Sequence, residues 1–315
     1  MRVFVTGASG WIGSAVVPEL LGAGHHVVGL ARSDEAAAAL TAAGVQVHRG
    51  TLDDLESLRD AAHAADGVIH LAFKHDLAFT GDFQGAANAD RLAVGAFADA
   101  LADTHRPLVI ASGTLGVAPG RVATELDGHG DVAEFAAFGE GPRARWATAE
   151  FTLSLASRGV RSSVVRLPPT NHGDGDHGFI AALVAIAREK GVSGYIGDGS
   201  NRWPAVHRLD SARLFRVALE EAPAGSTLHA VADEGVAIRS IAEVIGRHLD
   251  LPVVSVSPED AGTHFSWLAH FLAAESPASS ALTRELLDWA PAQPDLINDL
   301  DEGHYFKDRG SRGER

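Results

Sequence analysis

Apolar and polar positions alternate in blocks from the first residue. Residues 2–6 form a short apolar run, and residues 11–21 then carry apolar side chains at helical spacing. The couplet recurs: apolar runs at 26–30, 45–48, 67–71, 107–111 and 162–166 alternate with amphipathic stretches of helix length. That rhythm predicts an α/β fold, a Rossmann-like doubly wound parallel sheet with helices on both faces. Asp34, Asp53 or Asp54, and Asp210 each head a helical stretch and read as N-caps. Pro18 falls inside the first helix and removes one of its hydrogen bonds.

After residue 166 the texture changes. Loops rich in Gly, Pro, Asp and His at 168–178 and 194–204 separate expected helices at 179–190 and 211–221. Further helices are expected at 238–249, 258–274 and 280–288, with short strands at 205–207, 228–231 and 253–256. Ser257-Pro258-Glu259 has the makeup of a helix start: a capping hydroxyl, a first-turn proline and an acid at the positive dipole end.

The join between the first strand and the first helix holds the densest chemistry: Thr6-Gly7-Ala8-Ser9-Gly10-Trp11-Ile12-Gly13. Gly7 ends the strand where a side chain would block a tight turn. Gly10 lets phosphates approach the backbone, and Gly13 lets the helix press on the sheet. Backbone N–H groups and a helix N-terminus meet there, which suits a dinucleotide pyrophosphate. The second strand leads into Ala31-Arg32-Ser33, with no acid to accept from ribose hydroxyls. A guanidinium and a hydroxyl suit a 2′-phosphate, so the expected cofactor is NADP(H). The chain then divides into a dinucleotide-binding domain over 1–166, a smaller C-terminal substrate-binding region over 167–307 that partly returns to the main sheet, and a frayed charged tail over 308–315.

Bulk properties narrow the partners. The chain has 315 residues, enough for a full core, and no cysteine, which rules out disulfides and thiol catalysis. With 26 Lys+Arg against 41 Asp+Glu the formal charge is −15, a field that repels nucleic acid and anionic membranes. No membrane-spanning run or signal segment is visible, so a cytoplasmic protein acting on a small-molecule substrate is expected.

The chain resembles the extended or atypical short-chain dehydrogenase/reductases, of the NAD-dependent epimerase/dehydratase type, from Met1 to about Phe306. Thr6-Gly7-Ala-Ser-Gly10-Trp-Ile-Gly13 matches that family's nucleotide turn, and Asp66-Gly-Val-Ile-His-Leu-Ala72 its D-x-V-x-H-L-A strand. Arg166-Leu-Pro-Pro169, Val206-His-Arg-Leu-Asp210 and Leu286-Leu-Asp-Trp-Ala-Pro291 resemble three later segments. The resemblance implies that Leu71 and Ala72 skirt the cofactor's adenine side and that Pro168 lies beside the nicotinamide. It also implies a role for Leu52 in Gly50-Thr-Leu-Asp-Asp54, and a homodimer paired through helices near 85–102 and 145–157.

One departure matters most. The family's Tyr-x-x-x-Lys signature is absent, and alignment on Ala149-Glu150 puts Pro142 and Trp146 in its places. Other groups must then handle the proton. Ser112 leads, with Thr114 beside it, after the fifth strand, where the family keeps a hydroxyl on the substrate oxygen. Lys74 and His75 end the fourth strand and either polarise a carbonyl or form a solvated loop pair. His172, Asp174, Asp176 and His177 form an acid–base pair or a loop closing over nicotinamide; their spacing fits no zinc pattern, and no metal is assigned. Tyr195 is an alternative acid or a packing residue, and Arg202 and His207, just beyond it, are candidates to clamp an anionic or polar substrate. Arg143 and Arg145, near the missing signature, either substitute for its positive charge or simply cover a helix surface. The expected function is an NADP(H)-dependent oxidoreductase reducing a small carbonyl or related polarised double bond with a non-standard proton donor. The alternatives are a redox-neutral epimerase, isomerase or dehydratase that retains its cofactor, and a non-catalytic NADP(H)-binding sensor.

Overall fold

Val3, Phe4 and Val5 of strand β1 (Arg2–Thr6) have no exposed surface, as a strand covered on both faces requires. Their alternation builds two layers. Val3 and Val5 face one core with Val16, Leu20, Leu214 and Phe215, while Phe4 faces another with Leu58, Phe97 and Leu101. The computed structural model describes residues 1–129 and 140–307, so the expected tail over 308–315 lies outside the described residues.

The N-terminal half runs β1, α1 (Gly13–Gly22), β2 (His26–Ala31), α2 (Asp34–Ala42), β3 (Gln46–Arg49), α3 (Leu55–His63), β4 (Gly67–His70), α4 (His75–Phe79), α5 (Phe83–Leu101), β5 (Pro107–Gly113), α6 (Glu140–Ser154) and β6 (Arg161–Leu167). These strands form a parallel sheet of order β6-β5-β4-β1-β2-β3, completed to seven by a later strand, β10 (Ser226–His229), beside β6. Strand order reverses between β1 and β4, and the crevice beyond their carboxyl ends is where this architecture binds ligands.

The rest of the chain supplies β7 (Thr170–His172), α7 (Phe179–Lys190), β8 (Ser193–Ile196), β9 (Arg202–His207), α8 (Arg208–Glu221), β11 (Asp233–Ala237), α9 (Ile238–Leu249) and β12 (Val253–Val256). Helices α10 (Ala261–Phe265), α11 (Ala269–Leu272), α12 (Ala281–Leu287) and α13 (Leu296–Asp301) follow. β11-β9-β7 and β12-β8 make two small sheets around a separate core of Leu183, Trp203, Ile241, Phe265 and Leu268. No helix of the described residues is long and apolar enough to cross a membrane.

Three local expectations are corrected. The helix expected at 258–274 is broken: Ser257 Oγ accepts from Asp260 N–H, helix starts only at Ala261, and Ser266 at φ 53° interrupts it. Asp210 is not a cap. His207 Nδ1 accepts from Leu209 N–H at the start of α8, while the Asp210 carboxylate accepts from Ala292 and Gln293 N–H at 2.9 and 3.0 Å. Asp34 is the first residue of α2; the cap is Ser33, whose Oγ accepts from Ala36 N–H, and of the second pair Asp54 caps α3.

Candidate active site at the carboxyl ends of the central strands

The turn after β1 is built by contacts that leave no room for side chains. Gly7 has φ 67°, and a Cβ there would sit 2.8 Å from Ala72 N. A Cβ on Gly13 would lie 2.0 Å from the Gly7 carbonyl, so only glycine lets α1 close on the turn. Gly10 differs: a Cβ would meet only the Gly7 oxygen, at 3.2 Å, and Ser9 and Gly10 are exposed. Helix α1 begins at Ile12 and Gly13 with no side-chain cap, whereas α2, α3 and α5 take one from Ser33, Asp54 and Asp82. An open cradle at Gly10 facing an uncapped helix start fits a pyrophosphate, which would supply the missing acceptors.

A buried chain of hydrogen bonds fixes this turn to β4. Thr6 Oγ1 accepts from Ala72 N–H at 3.2 Å and meets His70 Nδ1 at 2.6 Å; His70 Nε2 meets Asp90 at 3.0 Å. A carboxylate only accepts, so Nε2 carries the proton and the Thr6 hydroxyl donates to Nδ1. Leu71 N–H donates to the Thr6 carbonyl, and its side chain packs on the core beside Ile12.

At the end of β2, Arg32 is exposed, with its Nη1 3.4 Å from Asp76. Nearby Lys74 is held between both oxygens of Asp53 at 2.7 and 2.8 Å, which leaves its ammonium paired rather than poised. Leu52 is buried under the same edge.

Beyond β5 the picture is different. Ser112 and Thr114 are 3 % and 1 % exposed, and neither hydroxyl has a hydrogen-bond partner. Register places Ile110 opposite His70, so both hydroxyls follow directly beyond the β4–β1 reversal. Buried donors without partners are costly, and they accumulate where a ligand completes them. Arg166, by contrast, turns away: its guanidinium donates to the carbonyls of Asp127 and Gly128 and approaches His229, clamping the 125–129 loop. Pro168 is buried and its carbonyl accepts from Asn171.

The 173–178 loop lies against the nucleotide turn. Trp11 Nε1 donates to the Asn171 carbonyl at 2.9 Å, the His177 ring meets the indole edge-on at 5.6 Å, and Arg208 stands 4.3 Å over it. The loop is pinned from behind. Tyr305 OH donates to Asp176 at 2.9 Å and accepts from Gly173 N–H, and burial pushes both groups above their ordinary pKa values. His172 Nδ1 binds Asp299, which His304 also reaches at 3.1 Å; burial opposes these contacts, yet they hold Asp299 below the usual carboxylate range. Asp174, His172 and Asp176 therefore do not converge on one point with His177. No group of three potential metal ligands occurs among the described residues. Tyr195 lies elsewhere, in β8, packed with the C-terminal core under Arg239. Arg202 pairs with Glu275, and His207 is buried against His172.

Comparison with known proteins fits this geometry. The model of the NAD dependent epimerase/dehydratase family matches residues 3–231. The chain belongs to the NAD dependent epimerase/dehydratase family. An uncharacterized protein of Schizosaccharomyces pombe is 47 % identical over 307 residues, covering 97 % of this chain and all of that protein. One of Saccharomyces cerevisiae is 43 % identical over 302 residues, covering 95 % and 98 %. The structure is similar to that of a double mutant of the dTDP-glucose 4,6-dehydratase of Streptomyces venezuelae with NAD bound, with TM-score 0.77 and 18 % identity over 98 % of each chain.

Helix α6 carries Trp146, the residue that alignment of the sequence set at the place of the family's lysine, and its side chain is buried. Its neighbour Arg145 is half-buried rather than freely exposed on the helix surface. Arg145 Cζ stands 4.0 Å over the Phe73 ring, its Nε is buried without a partner, and burial lowers its pKa. His75 meets the same Phe73 ring at 5.1 Å; crowding of its ring by protein and the Arg145 charge push it down to about 4. Asp90, Arg208 and Tyr305 are the residues around this site that sequence reasoning missed, whereas Arg145 was among its candidates for the signature's positive charge. Only Asp90 had a signal, an acid set among the apolar face of α5 with Ala86, Ala89 and Ala93.

Proposed function

We propose that the chain is an NADP(H)-dependent oxidoreductase that reduces a small carbonyl, or a related polarised double bond, without the family's tyrosine. The carrying observation is the pair of buried, unpartnered hydroxyls of Ser112 and Thr114 at the carboxyl end of β5, together with the open cradle at Gly10. A bound nicotinamide would supply the hydride. The chain's residues would do the rest. Ser112 donates to the substrate oxygen, Thr114 orients it, and His75 offers a neutral imidazole at the end of β4. Thr6, Gly7, Ser9, Gly10, Trp11, Ile12 and Gly13 hold the pyrophosphate turn, with Leu52, Leu71, Ala72 and Pro168 along the cofactor. Exposed Arg32, with Ser33, takes the 2′-phosphate. His177 closes from the loop over Trp11, while Tyr195 serves packing. The division into a dinucleotide-binding domain over 1–166 and a substrate-binding region over 167–307 follows from this reading. Pairing of α5, which exposes Leu92, with α6 of a second copy would make a cytoplasmic homodimer.

Titration with NADPH, followed by its fluorescence and by thermal stabilisation, tests the reading together with NADPH consumption across a panel of small carbonyl compounds. Binding with consumption is expected. Absence of both effects on the folded protein would overturn it. The pinning of the 173–178 loop by Tyr305 favours a second reading, a redox-neutral epimerase or dehydratase that keeps its cofactor. Dinucleotide that copurifies and is not consumed during turnover would select it.

A further inference from the structure

We propose that Arg145 is a positioning residue of this site and acts through His75, supplying the fixed positive charge that the imidazole meets at the Phe73 ring. The inference rests on the reading of the β4 and β5 ends as the reaction centre.

Three elements bring the pair together. Arg145 comes from α6, Phe73 and His75 from the β4–α4 connection, and Asp90 from α5. The guanidinium carbon is 4.0 Å from the Phe73 centroid, and the His75 ring centroid is 5.1 Å from it. A guanidinium over an aromatic face is attracted by the ring quadrupole, which holds the charge without a carboxylate in contact. Asp90, whose Oδ1 meets His70 at 3.0 Å, compensates Arg145 through space. Arg145 Nε is buried and has no hydrogen-bond partner. Taking such a charge out of water is expensive, and the expense is usual where charge is needed for chemistry.

The electrostatic consequence falls on His75. Arg145 from α6 opposes a charge on the imidazole, while Asp76 on its own helix and Asp90 from α5 favour one. The protein crowded around its ring and the Arg145 charge outweigh the two carboxylates, and His75, although exposed at the surface, is pushed down to about 4. At neutral pH it is an uncharged group with one N–H and one lone pair. It can therefore donate to, or accept from, a substrate oxygen without carrying its own charge into the site. A lysine in the same place, with a compact and strongly hydrated ammonium, would not stack on Phe73 in this way.

The histidine ring resonances of the full chain, without cofactor, test the inference, with H75N identifying the signal. In the wild type His75 is expected to titrate near 4 and to stay silent around 6.5. R145M, and R145Q as a second neutral variant, should each shift the midpoint toward 6.5, while R145K, which keeps the charge without the stacking, should shift it less. Adding NADPH should then move the His75 resonance. Wild-type titration near 6.5, or a midpoint unaltered in both neutral variants, overturns the inference. So does NADPH that binds, by fluorescence, without disturbing His75. If the wild type binds no NADPH, the proposed function fails by itself, and the cofactor-free titration still decides the Arg145–His75 relation.

Discussion

The indole Nε1 of Trp11 donates to the backbone carbonyl of Asn171 at 2.9 Å, joining the nucleotide turn to a loop 160 residues later. Asn171 is itself held by Pro168 and Ser211, so the bond ties β1, β7 and α8 into one wall of the crevice.

Trp11→Phe removes that donor and keeps an aromatic face for Arg208. Loss of one such bond costs roughly 1 kcal/mol, and the midpoint of thermal unfolding should fall by about 2–4 °C. NADPH affinity should drop alongside it. An unaltered midpoint and affinity would show the contact to be incidental.

Gly10 and Gly13 separate binding from folding. Gly13→Ala forces a Cβ 2.0 Å from the Gly7 carbonyl, so it should destabilise the protein and abolish cofactor binding together. Gly10→Val meets only the Gly7 oxygen, at 3.2 Å, and should leave the circular dichroism and most of the thermal stability in place while NADPH binding is lost. Retained binding by folded Gly10→Val would remove the cradle from the site.

Arg32→Asp should weaken NADPH at least tenfold more than NADH, because it exchanges a guanidinium for a like charge facing the 2′-phosphate. Competition titrations measure the ratio. Equal loss for both nucleotides would mean that Arg32 serves only its contact with Asp76.

Ser112→Ala deletes a buried hydroxyl that makes no hydrogen bond in the protein, so stability should change little. Turnover should fall by roughly 10²-fold, the scale seen for a donor to developing negative charge. Full activity in this variant would transfer the role to Thr114.

Stability should depend on pH through His229. Burial and the adjacent Arg166 hold its imidazole down to about 4, against 6.5 as the ordinary value. Between the two the unfolded chain binds the extra proton, so stability rises with pH there. The contribution is complete above 6.5 and is lost as pH falls toward 4, by roughly 3 kcal/mol at most. His229→Gln, which keeps an N–H for the Ser279 carbonyl, should flatten denaturation midpoints across that interval. Identical slopes for variant and wild type would assign the effect to other groups.

Much of the frame was legible because it is local. The strands at 2–6 and 67–70 and the glycine spacing at 7–13 are set by alternation and backbone sterics over a few residues. Where context intervened, local rules failed. Asp210 has the composition of a cap, yet the returning Ala292–Gln293 backbone claims its carboxylate. The stretch 258–274 has helical periodicity, but Phe265 and Leu268 both enter the C-terminal core, and the chain bends at Ser266 to bury them.

The succession of strands and helices and the glycine spacing of the turn after β1 follow from the sequence alone, since each depends on neighbours a few positions apart. Tertiary packing decided which titratable groups meet. Lys74 was paired with Asp53, Tyr305 reached Asp176 across 129 residues, and an arginine of α6 came to lie half-buried over Phe73. Charge and desolvation act through space, so no spacing along the chain encodes them.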